Sequence, residues 1–133
     1  MAVVDASVLV ELLAAGPDAA AARLRLSRAG EPFWAPHLVD AEVGQALRRS
    51  VRAGELSASA GEDALWELGE LRVRRISHEL LVLQAWELRD QVSFYDALYV
   101  ALAEMLEEPL ITFDARLARA GLQAEIEVLP RAA

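Results

Sequence analysis

Apolar positions along the chain recur in two rhythms. Short runs rich in β-branched and aromatic residues predict strands: "AVVD" at 2–5, "PFWAP" at 32–36, "RVRRIS" at 72–77, "PLITF" at 109–113 and "EIEVLP" at 125–130. Between them the spacing turns helical. "ASVLVELLAAG" runs from Ala6 to the break at Gly16-Pro17, and Asp18 stands where it can cap a second helix over "AAAARLRLSRAG". A third helix covers "HLVDAEVGQALRRSVRAG" and closes at Gly54, and a fourth, "SASAGEDALWELGEL", has Ser57 as its cap. "HELLVLQAWELRD" and "SFYDALYVALAEMLEE" are the next two, and "DARLARAG" is a short one with Asp at its start and Gly at its end. Strands alternating with helices predict an α/β fold, three layers (α/β/α) around a mainly parallel central sheet. With no linker, repeat or low-complexity tract, residues 1–133 are expected to form a single domain.

Composition narrows the class. At 133 residues and 55% hydrophobic, the chain is long and apolar enough for its own core. No apolar stretch reaches the roughly 18 residues that span a bilayer, and "MAVVDAS" lacks the basic start of a secretory signal. Cysteine is absent, which removes disulfides and thiolate zinc sites. A cytoplasmic protein with no membrane contact is expected. The net charge of −8 argues against a simple nucleic-acid coat. All 13 basic residues are Arg, so chemistry that needs a lysine amine is excluded. That disfavours a phosphoacceptor receiver domain, which also sets acids at strand ends around Mg²⁺ but needs a lysine near the phosphoryl group.

Ligands of such sheets bind beyond the carboxyl ends of the strands. Asp5 follows "AVV" and Asp114 follows "LITF", so two acids fall there at once. Each has an ordinary explanation as a helix cap. Asp96 has one too: Ser93-Phe94-Tyr95-Asp96 matches a capping box, in which the acid reaches back to the cap amide. Yet Asp96 heads an otherwise apolar run, Ala97 to Ala103, where a charge is costly unless capped, paired or bound to metal. Glu42 lies beside the apolar stripe of Val39, Val43 and Leu47, at its edge or exposed to solvent. Should the four meet in one cleft, repulsion would be untenable without cations: two carboxylates 4 Å apart repel by about 4 kcal/mol at an effective dielectric near 20. Oxygen ligands without Cys or a well-placed His suit Mg²⁺ or Mn²⁺ rather than zinc. His37 and His78 read as surface or capping residues at helix starts.

"VVDAS", then "APHLVDAEVGQALRR", "YDALYVALAE" and "LITFD", in that order and at these separations, resemble the PIN domain, in particular the small VapC-type ribonuclease toxins. The resemblance runs from about Val3 to Val128. It implies that Asp5, Glu42, Asp96 and Asp114 gather around one or two Mg²⁺ or Mn²⁺ ions and hydrolyse RNA. Ser7 and Thr112 would orient carboxylates or water from behind. It also implies a cognate VapB-type antitoxin and a homodimer. Arg48, Arg49 and Arg52, or Arg72, Arg74 and Arg75, could contact RNA phosphate, although a solvated helix face is the ordinary role of such groups. Trp66, Trp86 and the leucines around them read as core by default; the resemblance makes part of that surface a dimer interface or an antitoxin groove. A housekeeping RNA-processing nuclease and a non-catalytic PIN-like interaction module are the alternatives.

Overall fold

The computed structural model describes residues 1–132. Five strands, β1 (Val3–Val4), β2 (Phe33–Pro36), β3 (Val73–Ile76), β4 (Leu110–Thr112) and β5 (Ile126–Val128), pair in the order β3-β2-β1-β4-β5, every pair parallel. The sheet is thus wholly parallel, and β1 and β4 lie side by side with Val4 opposite Ile111. From β1 the chain crosses first to β2 on one side and later to β4 on the other. This strand-order reversal opens a crevice at the carboxyl ends of the two strands. Asp5 and Asp114 sit at that crevice.

Among the described residues seven α-helices cover the sheet: α1 (Ala6–Leu13), α2 (Ala19–Ala29), α3 (Leu38–Arg52), α4 (Ala58–Glu70), α5 (Val82–Trp86), α6 (Phe94–Leu106) and α7 (Ala115–Ala118). α6 packs on β1, β2 and β4 and on α5, while α1 gathers α2, α3 and α4 and touches β4. Strands in the middle of such a layer are apolar on both faces; Val3, Val4, Leu110 and Ile111 are all buried. The apolar run after Asp96 has the same cause. Ala97 to Ala103 are buried without a break, as in a helix enclosed on all sides. Leu102, near the end of that run, has no exposed surface. Leu102→Ala should therefore cost about 2–5 kcal/mol of unfolding free energy, read as a lower urea midpoint at unchanged slope.

Three sequence expectations change. Residues 78–90 do not form one helix: His78–Leu80 is a turn of 3₁₀ helix, and only Val82–Trp86 is α-helical. Leu81, Ala85 and Leu88 turn inward from this segment, whereas Leu80, Leu83 and Trp86 stay exposed. Trp66 on α4 is also 70% exposed, so neither tryptophan belongs to the core. Asp18 precedes α2 without capping it. Its buried carboxylate instead accepts the Ala132 N–H (2.5 Å) and pairs with Arg131 (3.3 Å), fastening the C-terminal segment beside α1 and α2.

Candidate active site

Asp5, Glu42, Asp96 and Asp114 line one cleft of about 520 Å³, together with Ser7, Gln45, Arg49, Tyr95, Tyr99 and Arg131. Four acids from separate elements thus share one space. Asp5 comes from the end of β1, Glu42 from α3, Asp96 from the first turn of α6 and Asp114 from the start of α7.

The network behind them is specific. Asp5 Oδ1 accepts the Ser7 N–H (3.0 Å), the Ser7 hydroxyl (2.5 Å) and the Val8 N–H (3.4 Å), so this acid does cap α1. Its other oxygen accepts the hydroxyl of Thr112, which is fully buried on β4. Thr112 Oγ1 in turn accepts the Asp114 N–H (2.9 Å), and Ser7 Oγ accepts the Phe113 N–H (3.1 Å). Ser7 and Thr112 therefore stitch β1 to the end of β4 through the Asp5 carboxylate. Without such partners a buried hydroxyl would be costly.

At Asp96 the capping box is realised in one direction: Ser93 Oγ accepts the Asp96 N–H (3.1 Å), and the carboxylate lines the cleft. Asp114 caps α7 through the Arg116 N–H (3.0 Å) and is gripped by the Arg116 guanidinium at 3.0 and 2.7 Å. Nothing in sequence spacing alone marks Arg116 as that partner. On α3 the residues facing the cleft are Leu38, Ala41, Glu42, Gln45, Ala46 and Arg49, a stripe at helical spacing beside the buried Val39, Val43 and Leu47. Of Arg48, Arg49 and Arg52, only Arg49 reaches the cleft. The second arginine group is dispersed: Arg75 is held by Asp40 (2.7 and 2.8 Å) and Arg74 stacks over Trp34 at 5.6 Å. Neither His lines the cleft. His78 Nε2 accepts the Leu38 N–H (3.0 Å), so it caps α3 from just beyond the neighbouring strand β3.

Burial governs the proton affinities of Asp5, Glu42 and Asp96, and neighbouring charge adds to it at two of these acids. Burial pushes the Asp5 carboxyl up to about 6, against the four hydrogen bonds that favour its ionised form. Burial also raises Glu42, with the Asp96 charge adding to it and Tyr99 opposing. Asp96 is raised by burial, and further by Asp114. Asp114 alone is lowered, because Arg116 holds it. Three acids that resist ionising together form a donor set to which a divalent cation is the natural complement, and their hard oxygens fit Mg²⁺ or Mn²⁺. Among the described residues, no group of three acids or histidines is already drawn together around one ion position. Asp114 is turned to Arg116 and both oxygens of Asp5 to hydroxyls.

Sequence reasoning missed Tyr99 and Arg131. Arg131 stacks over Phe113 at 4.8 Å and reaches the cleft from the C-terminal segment. Tyr99 is 2% exposed, and its hydroxyl has no hydrogen-bond partner among the described residues. It lies near enough to Glu42 for the two to influence each other's ionisation, without the geometry of a hydrogen bond. An unpaired buried hydroxyl costs about 1–3 kcal/mol. Tyr99 follows Asp96 by one helical turn, and that spacing is the only signal of it in the sequence.

Comparison with known proteins agrees with this geometry. A family model described as PIN domain matches residues 2–122. Ribonuclease VapC1 of Mycobacterium tuberculosis is 48% identical over 129 residues, 96% of this chain and 96% of that protein. Ribonuclease VapC3 of the same organism is 46% identical over 119 residues, 89% of this chain and 85% of that one. The crystal structure of Mycobacterium tuberculosis VapC20, described as a Sarcin-Ricin loop cleaving toxin, superposes with a TM-score of 0.73 at 25% identity, covering 98% of this chain and 100% of that one. With the same five-stranded parallel architecture and relatives alike along nearly the whole length, this chain belongs to the PIN-domain family.

Proposed function

We propose that this protein is a Mg²⁺- or Mn²⁺-dependent endoribonuclease, the toxin of a VapBC-type toxin–antitoxin pair. The observation that carries the reading is the cleft itself, where four carboxylates from four elements meet at the strand-order reversal. Relatives named ribonucleases at up to 48% identity support the reaction class.

Asp5, Glu42, Asp96 and Asp114 would hold the cation. When bound, it supplies Lewis acidity, easing proton loss from the attacking water and offsetting charge on phosphorus. Ser7 and Thr112 keep Asp5 in one orientation, so its carboxylate need not reorganise during the reaction. Arg49 stands seven residues after Glu42, roughly 10 Å along the helix, and can take a neighbouring phosphate through its two-pronged guanidinium. Tyr95, 63% exposed at the rim, offers a ring on which a base can stack. Water attacks phosphorus, the bond to the 3′ oxygen breaks, and that oxygen leaves with a proton from solvent. The products are a 5′-phosphate and a 3′-hydroxyl. His78 is committed to capping α3, and no histidine lines the cleft to drive attack by a 2′-hydroxyl.

A protein partner is supported by the apolar surface left open. Leu80 just before α5, Leu83 and Trp86 on it, and Leu65 and Trp66 on α4 are all exposed. Surfaces of this kind mark interfaces. A VapB-type antitoxin and a second copy of this chain are the partners we assign to them. Among the described residues, no helix is long and apolar enough to cross a membrane.

The direct test is incubation of the purified protein with structured RNA. Cleavage in MnCl₂, leaving 5′-phosphate ends and stopping in excess EDTA, is the expected result. RNA left intact in MnCl₂, or cut equally well in EDTA, would overturn the proposal.

A further inference from the structure

Tyr99 is the one buried side-chain polar atom without a hydrogen-bond partner among the described residues, and it faces the cleft. Phenylalanine would fill the same space without that penalty, so packing does not explain the hydroxyl. The groups around it are acceptors: Glu42 from α3, then Asp5 from β1 and Asp96 from its own helix. A phenol hydroxyl among carboxylates can only donate. Glu42 is half-buried, on a longer and more flexible side chain than the three aspartates. The carboxylates of Asp5 and Asp114 are held by hydrogen bonds, whereas that of Glu42 has none in the network described above. The Asp96 carboxylate shares that freedom, but its short side chain is placed by the first turn of α6, so Glu42 is the acid with most to gain from an orienting partner.

We infer that Tyr99 is a positioning residue for Glu42. Its hydroxyl donates to one oxygen of the Glu42 carboxylate when that side chain turns inward, and so presents the other oxygen to the cation. This rests on the metal-dependent reading of the cleft proposed above. Outer partners of this type typically change metal affinity 10- to 100-fold. The unpaired hydroxyl is then a cost that closure of Glu42 relieves.

The test is Tyr99→Phe compared with the parent and with Asp96→Asn. Mn²⁺ affinity is measured by calorimetry at pH 7.5, melting temperature in EDTA, and kcat and KM on RNA. For Tyr99→Phe the expected result is a melting temperature in EDTA equal to the parent's or higher, with Mn²⁺ binding weakened 10- to 100-fold. At limiting Mn²⁺, kcat falls in proportion, and it recovers at saturating Mn²⁺ while KM for RNA stays unchanged. A purely structural tyrosine would instead lower the melting temperature in EDTA and leave Mn²⁺ affinity alone; that result overturns the inference. If Asp96→Asn loses Mn²⁺ binding while Tyr99→Phe keeps it, the Tyr99 role fails and the metal site stands. If Asp96→Asn also binds Mn²⁺ like the parent, the metal site itself is wrong and the Tyr99 role falls with it.

Discussion

Asp5→Asn should lower RNA cleavage by roughly 10²–10³-fold, because the proposed cation that offsets developing charge loses a ligand, while leaving the fold as stable as before or more so. The side chain is enclosed by Ser7, Val8 and Thr112, and an amide keeps its shape. Its carbonyl oxygen can accept from Ser7 and Val8 as the carboxylate does, and the Thr112 hydroxyl oxygen has a lone pair free for the new amide donor. At pH 7.5 the parent carries a charge at this position that burial opposes, since its carboxyl titrates near 6. Asparagine removes that penalty together with the proposed metal ligand. Activity and stability therefore move in opposite directions, as expected of a strained functional site. Cleavage assays and thermal melts on the same preparation read both. A variant that cuts RNA at the parent's rate would end the role assigned to Asp5. One that has lost activity and stability together would mean that Asp5 is structural.

The second large effect is on stability against pH in the absence of metal. Asp5 rises from an ordinary 3.8 to about 6 on folding, so between those values the folded chain holds a proton that the unfolded chain has released. Stability must then fall as pH rises through this window, by up to roughly 3 kcal/mol from this group. Glu42 and Asp96 are shifted the same way and reinforce the trend. Asp114 is shifted the opposite way, so its contribution is present above its ordinary value and is lost in stronger acid. In EDTA the melting temperature is thus expected to drop from pH 4.5 to pH 6.5. Mn²⁺ at a hundred times its dissociation constant should restore about 2.7 kcal/mol at pH 7.5. The gain should shrink at pH 5, where protons compete for Asp5. A metal-free protein that gains stability across this range, or a larger Mn²⁺ effect at pH 5 than at pH 7.5, would contradict the assignment of Asp5.

The opposite trends of Asp5 and Asp114 show how differently two strand-end acids can behave. Both cap helices, and both stand at the ends of adjacent strands. One is enclosed by hydroxyls and resists ionisation; the other leans into solvent on Arg116, itself 80% exposed. An exposed pair of that kind contributes little to stability and can open readily. Under the proposed function, Arg116 is suited to release Asp114 for the cation.

Much of this protein was determined along the chain. The order of strands and helices follows from period and punctuation, and the caps at Ser57 and Ser93 from side-chain chemistry within one turn. The placement of acids at strand ends follows from "VVD" and "LITFD". These depend on neighbours a few residues apart, and local rules reach that far. Only the tertiary structure decided the rest. Thr112 meets Asp5 across 107 positions, Asp18 meets Ala132 across 114, and His78 caps a helix that begins 40 residues earlier. Residues 78–90 lost most of their regular helix because only Leu81, Ala85 and Leu88 found a buried surface to pack on. Burial and the meeting of charges are properties of the folded space. The sequence could therefore name the four acids, but which of them would resist losing a proton, and which tyrosine would stand unpaired beside them, was decided by packing.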